Sequence, residues 1–575
     1  MHTLGWTTRR LFFALGLCAL AGLSQVGASP LPKSDHFLSR TAAVHPPHAW
    51  SSVIVQWKGP RTKARLHRLR ALGMREDRPL RLIGADALRL PSSNLGRLAA
   101  LPFVKHLSAD LTCRKSDEYT VGATGADVAF AQGGLTGAGV AVAVLDSGIQ
   151  SERADVQGRM VAAVNFAGDA DTTADLCGHG THVAGIIAGD GTASIGPSFF
   201  RTFYGIARQT TLVNVRVLNR AGQGTVSAVI QGIEWAVAHK SDYGIRVLNL
   251  SLGHPVGESC TTDPLCLAVE AAWQSGIVVV CAAGNGGRLL NSPSLTGRDP
   301  NNEGWGTAYG SIQSPANDPS VITVGAMKSM DGVRAHDRVA TYSGRGPSRL
   351  DFVLKPDLVA PGNRIVSVNA AGSYLDANYG AIDAVGLSEY STLTTAPADT
   401  YLRLSGTSMA APVVAGAAAL LLQADPTLTP DTVKARLMIS ADKAGYGPAG
   451  QGDTDACAYG AGYLNIPAAL SCAYTATQPA LSPSLTRSAW GLVFVNTQPL
   501  LTGGQGLWGT GLTKLGGVWG TQIIWGENIL AGSQIIWGEG VWDNQIIWGE
   551  GASSVDLSST ALLGDPDALN LNQGP

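Results

Sequence analysis

The sequence predicts an α/β fold built on a parallel sheet, preceded by a small α+β domain and followed by a short Trp/Gly/Ile repeat of β character. Three observations carry this. From residue 137 onward, short continuous apolar runs alternate with helical stretches, which is how strands buried on both faces of a parallel sheet read. Before it lies a basic segment of about 60 residues with mixed strand and helix periodicity, and after residue 500 a six-residue repeat begins. With 575 residues, 45% hydrophobic and 15% charged, the chain is too long for one ordinary domain and apolar enough for large cores.

Residues 1–28 carry Arg9 and Arg10, an apolar run over 11–23 and the small-residue end Val26-Gly27-Ala28. That is the order of a secretory signal, so export is expected. Residues 29–47, with Pro30, Pro32, Pro46 and Pro47, read as a linker. In residues 48–110, strands are expected at 52–57, 80–83, 87–90 and 104–107, and helices at 62–72 and 93–101. The segment holds 12 Lys/Arg against 4 Asp/Glu, whereas residues 111–575 hold 25 against 38. It lacks a nucleic-acid motif, so the expected partner is the acidic body of the same chain rather than a nucleic acid.

Residues 111–472 form the large domain. Strands are expected at 140–145, 212–218, 247–252, 277–282, 321–324 and 356–360, and helices from 178, at 226–238, at 264–274 and after Ser408. In such a fold, ligands bind where the strands end. Three chemically distinct residues fall at element ends: Asp146 closes a strand, His179 opens a helix, and Ser408 precedes the apolar run 413–422. Pro412 is expected in the first turn of that last helix. A serine that attacks a carbonyl needs a base for its proton, and the base needs a carboxylate to orient it. Each residue taken alone reads better as a turn former, a packed histidine or an N-cap than as a catalytic group. Seven cysteines follow residue 28, with Cys260/Cys266 and Cys457/Cys472 as candidate bridges, and no Cys/His spacing suggests a metal site.

The segments VAVAVLDSGI, GHGTHVAG and LSGTSMAAPVVAG, in the order Asp, His, Ser, closely resemble the three catalytic signatures of the subtilisin-like (subtilase) serine peptidases. The resemblance covers roughly residues 135–470. It implies a subtilisin-like catalytic domain in which Asp146 orients, His179 acts as base and then acid, and Ser408 is the nucleophile. It further implies Asn285 as a side-chain oxyanion donor. Gly222, Gln223 and Gly224 would form one edge of the substrate cleft and Ser251, Leu252 and Gly253 the other, with Ala283 and Gly284 beside them. Backbone pairing on both edges implies protein and peptide substrates of broad sequence. The basic segment resembles the family's inhibitory propeptide, an intramolecular partner removed by cleavage between about residues 110 and 119. Residues 191–196 resemble a family calcium loop without its usual Asn/Asp side chains, so the residues do not support calcium, and no other cofactor is implied. Residues 197–203 intrude beside that loop, and a stretch of about 30 residues, 371–400, is inserted before Ser408. A catalytically inactive surface protein acting through its tail is the alternative from another class. An esterase is disfavoured by the missing G-x-S-x-G elbow.

Residues 473–500, rich in Ser, Thr and Pro, read as a second linker. Residues 501–575 hold six of the 13 tryptophans, at Trp508, Trp519, Trp525, Trp537, Trp542 and Trp548. A period of six does not fit a helical turn, and the Gly after most of these Trp residues breaks long strands, so short β-segments joined by turns are expected. Two uses stay open: a structural tail, or an aromatic surface that holds the protein on a cell surface or polysaccharide. After residue 487 there are 7 acidic residues and only Lys514 basic, which disfavours anionic lipid and nucleic acid.

Overall fold

The computed structural model describes residues 33–34, 50–60, 62–80, 83–109, 119–289, 306–330, 332–395, 400–442, 455–487 and 493–496. The expected signal, the processing region with Cys113, and the repeat tail lie outside these. The chain divides into two units, residues 1–114 and 115–575.

In the first unit, β1 (Trp50–Trp57), α1 (Lys63–Ala71), β2 (Glu76–Leu80), β3 (Ala85–Pro91), α2 (Leu95–Ala99) and β4 (Val104–Ala109) build an antiparallel sheet ordered β2-β3-β1-β4. Val53, Val55 and Trp57 alternate inward along β1 and pack with Leu69, Leu88, Leu98 and Leu107. Thr62 caps α1, its hydroxyl accepting the Arg65 N–H. The strand expected at 80–83 lies instead at Glu76–Leu80. As the edge strand it tolerates polar residues and Pro79, which its composition had argued against.

The second unit opens with α3 (Tyr119–Thr124) and α4 (Ala126–Gly133) and continues through β5 (Ala141–Asp146), β6 (Met160–Asn165), α5 (His179–Ala188), β7 (Thr211–Arg216), α6 (Val226–Ala238), β8 (Ile245–Leu250), α7 (Pro264–Gln274), β9 (Val278–Ala282), β10 (Ile322–Lys328), β11 (Arg338–Val339) and β12 (Leu358–Pro361). These strands form one sheet, ordered β11-β10-β9-β8-β5-β7-β6, with β12 also on β10. All pairs are parallel except β10 with β11. The fold is therefore the α/β parallel-sheet class. From β5 the chain builds outward first through β6 and β7 and then, on the other side, through β8, β9 and β10. The strand ends beside β5 are thus the switch point where an open α/β sheet places its ligands.

A hairpin of β13 (Ile365–Val368) and β14 (Tyr401–Leu404) brackets the inserted helix α8 (Tyr374–Asp383), and leads into α9 (Thr407–Ala424), α10 (Pro430–Ser440) and α11 (Ile466–Ser471). Helix α9 is apolar and long enough to cross a bilayer, yet it is the buried spine of the domain. Pro412 is its sixth residue, in the second turn rather than the first as expected. The linker expected at 473–500 begins as a strap. Ser482 N–H donates to Pro319 O at 2.9 Å, Leu354 N–H to Pro483 O at 2.7 Å, and Ala480 N–H to Asp431 at 2.8 Å. Under the strap Asp357 is buried between Lys355 (2.7 Å) and Lys434 (3.5 Å). Among the described residues all six cysteines are free thiols, so neither candidate bridge forms. Cys266 instead donates to Asn317 Oδ1 at 3.3 Å.

Candidate active site

Leu145 of β5 faces Leu250 of β8, so Asp146 and Ser251, the next residues, leave the sheet on adjacent strand ends. Asp146 is fully buried, and its Oδ1 accepts the Ser147 N–H at 2.7 Å and His179 Nδ1 at 2.8 Å. A carboxylate oxygen accepts only, so Nδ1 carries the imidazole proton and Nε2 is left as the base. Burial opposes charge on His179, but the charge and hydrogen bond of Asp146, with Asp175 behind, outweigh it and raise its pKa above the usual 6.5. His179 opens α5 after Gly178, which has φ +104° and whose added Cβ would lie 2.5 Å from Ser373 Oγ. His182, one turn on, is packed: its Nε2 donates to Ile365 O and Leu402 O at 3.2 and 3.1 Å, and burial drives its pKa down to about 3.

Ser408 is the second residue of α9. Its Oγ donates to Ser251 O at 3.1 Å, and Ser251 Oγ returns a bond to Ser408 O at 2.8 Å. The latter has a physical cause. An intrahelical partner for Ser408 O would be the N–H of residue 412, and proline has none. Among the described residues His179 Nε2 has no hydrogen-bond partner, so Ser408 and His179, each in the first turn of its helix, are not joined by a hydrogen bond. Asn285 Oδ1 accepts the Thr407 N–H at 2.9 Å and its hydroxyl at 3.0 Å. Because a backbone N–H can only donate, this fixes the amide orientation and turns Nδ2 toward Gly406, where an added Cβ would lie 3.3 Å from it.

The two glycine-bearing edges differ. Gly222, Gln223 and Gly224 form a largely exposed loop between β7 and α6, closed by Asn219 N–H on Gln223 O at 2.7 Å. Leu252 and Gly253, half-buried, follow β8 beside Ser251. Ala283 and Gly284 are buried, and their carbonyls accept the N–H groups of Gln313 and Gly344 at 3.1 and 2.7 Å.

The model of the Subtilase family matches residues 137–462. The chain belongs to the subtilase family. It is 37% identical over 340 residues to serine protease AprX of Bacillus subtilis, a match spanning 58% of this chain and 66% of AprX. To subtilisin DY of Bacillus licheniformis it is 35% identical, over 60% of this chain and 95% of that one, and to subtilisin E of Bacillus subtilis 32%, over 69% and 83%. This subtilase is a serine endopeptidase.

Sequence reasoning missed the supports. Asp175, fully buried, accepts the N–H groups of Cys177, Gly178 and Thr181 at 3.1, 2.7 and 2.8 Å and the Ser147 hydroxyl at 2.8 Å. It thereby shapes the turn that carries His179. Arg216, buried at the end of β7, donates from Nε to Ser147 O at 3.2 Å and pairs with Asp169 at 2.6 Å. An Asp three residues before Gly178 was the only local signal for the first; nothing local marks Arg216. The insertion also reaches this turn, with Tyr374 and Leu375 N–H groups on Leu176 O and Cys177 O, both at 2.9 Å.

Proposed function

We propose that this subtilase cleaves peptide bonds in extended protein substrates through Asp146, His179 and Ser408, by way of an acyl-enzyme. The observation that carries the reading is the buried 2.8 Å pair of His179 Nδ1 and Asp146 Oδ1, which leaves Nε2 as the proton acceptor. Ser408 Oγ swings from Ser251 O toward Nε2 and attacks the scissile carbonyl carbon while its proton passes to His179. The developing oxyanion is received by Asn285 Nδ2 and the Ser408 N–H at the start of α9. Collapse expels the amine, which takes the proton from His179, and water repeats the cycle to free Ser408. Leu252, Gly253 and the 222–224 loop hold the substrate backbone on either side.

The same reading has the protein exported, with residues 48–110 as an inhibitory propeptide removed by the enzyme itself. The charge contrast between that segment and the body supports this, as does its own apolar core, which allows independent folding. Residues 501–575 would anchor the enzyme at a surface or polysaccharide, or serve structurally. The inactive alternative is not favoured, because the Asp, His and Ser positions and Asn285 are all intact. Casein digestion by the purified protein and by Ser408→Ala tests the proposal. The wild type is expected to digest casein and shed residues before about 119, and the variant to do neither. Self-maturation of Ser408→Ala without another protease would defeat it.

A further inference from the structure

The family resemblance raises a calcium ion at residues 191–196, and the atoms there answer a different need. Calcium takes six to eight oxygen acceptors at once. Around this loop the acceptors are already met by hydrogens. Asp155, 2% exposed, receives the Ala193 N–H on Oδ1 at 2.6 Å and the Tyr401 hydroxyl on Oδ2 at 2.8 Å. The Tyr401 oxygen also lies 2.8 Å from Ser194 Oγ, which accepts the Phe203 N–H at 3.0 Å. Ser194 O accepts from Thr202 Oγ1 at 3.0 Å. The next carboxylate, Asp190, is covered by Thr192 N–H and Oγ1 (3.0 and 2.6 Å) on one oxygen and by Arg159 (2.9 Å) on the other. An N–H aimed at a carboxylate from 2.6 Å occupies the direction a cation would need and repels it.

What places Tyr401 is the pair of inserted segments. Its ring lies 4.6 Å from Phe203 and 5.5 Å from Tyr390, and Tyr390 stacks on Phe199 at 5.9 Å. Phe200 N–H donates to Tyr390 O at 3.0 Å and Thr392 N–H to Ser198 O at 2.8 Å, so residues 197–203 and the 371–400 insertion interlock over the same carboxylate. Burial and the nearby Asp155 hold the Tyr401 phenol far above its ordinary range, protonated as a donor.

We infer that the Tyr401 hydroxyl, bound to Asp155 and roofed by the two insertions, braces the 191–196 loop in place of a cation, so that this subtilase binds no calcium there. Beyond this loop the chain returns to the far end of α5, where Gly205 N–H donates to Gly189 O at 2.8 Å.

The test uses the enzyme inactivated with phenylmethanesulfonyl fluoride to stop autolysis. Melting is compared in chelator and in millimolar calcium for the wild type, Tyr401→Phe and Asp155→Asn. Tyr401→Phe keeps the ring stack and loses only the latch, and should melt ~2–5 °C lower by the same amount in chelator and in calcium. Wild type and Asp155→Asn should respond identically to calcium. A calcium-induced rise in wild type that Asp155→Asn lacks, or a Tyr401→Phe as stable as wild type, would overturn the inference. Should Asp155→Asn not fold, calcium titration by calorimetry of chelator-treated wild type and Tyr401→Phe decides. Identical traces are expected, and a micromolar site changed by Tyr401→Phe would overturn it.

Discussion

Ser251→Ala probes how the nucleophile is held. The substitution deletes the hydroxyl that donates to Ser408 O at 2.8 Å, and with Pro412 in place no backbone N–H replaces it. A buried carbonyl left without a donor costs about 1–3 kcal/mol. Asn249 Nδ2 also loses its 2.9 Å acceptor on Ser251, a loss independent of residue 412. Pro412→Ala separates the two, because it restores the N–H of residue 412 to Ser408 O. The cycle of Ser251→Ala, Pro412→Ala and the double variant should therefore show a coupling of about 1–2 kcal/mol, with the double variant more stable than the sum of singles implies. Stability is read by urea unfolding of the sulfonylated enzyme. Turnover of a peptide substrate by Ser251→Ala should fall about 10–100-fold with KM nearly unchanged, since displacing the attacking oxygen affects reaction more than binding. Turnover should partly return in the double variant. Additive stabilities, or a Ser251→Ala with wild-type turnover, would refute the clamp.

Asn285→Ala should lose about a hundred to a thousandfold in turnover with little change in KM, the cost known for the corresponding donor in subtilisin; unchanged turnover would remove Asn285 from the oxyanion site. The proposed mechanism requires neutral His179, whose pKa is raised by Asp146 against the effect of burial, so kcat/KM should fall as pH drops through a midpoint above 6.5. In Asp146→Asn the residual activity should titrate lower; a wild-type midpoint well below 6.5 would contradict the pairing. Burial opposes charge on Asp357, but Lys355 and Lys434 overcome it and hold the carboxyl below its usual value. Asp357→Ala strands two buried ammonium groups and should destabilise by roughly 3–5 kcal/mol, measured by urea unfolding; a loss under 1 kcal/mol would mean that the strap does not depend on the pair.

What was legible in the sequence was whatever is local. The apolar runs placed the sheet because strands buried on both faces admit little else, and helices 226–238 and 264–274 matched to the residue because Thr225 and Asp263 cap them. The positions of Asp146, His179 and Ser408 at element ends were legible because each sits in a local motif. What was hidden depends on partners far along the chain. Tyr401 and Asp155 are 246 residues apart, and a tyrosine at the start of a strand says nothing of a carboxylate it will bind. The 473–484 strap looked like a linker because Ser, Thr and Pro lack apolar periodicity. Its attachment runs through backbone groups and Ser482, which donates to Pro319 and Asp357. Pro412 misled in the same way: the N–H it lacks is replaced at Ser408 O by the hydroxyl of Ser251, 157 residues before Ser408.

In the proposed mechanism Ser408, activated by His179, is the nucleophile. Labelling the native enzyme with a fluorophosphonate and mapping the modified peptide tests it most directly. One label per chain on Ser408 is expected, forming faster as pH rises through the His179 titration and at least a thousandfold slower in His179→Ala. A label on any other serine, or undiminished labelling in His179→Ala, would contradict the account.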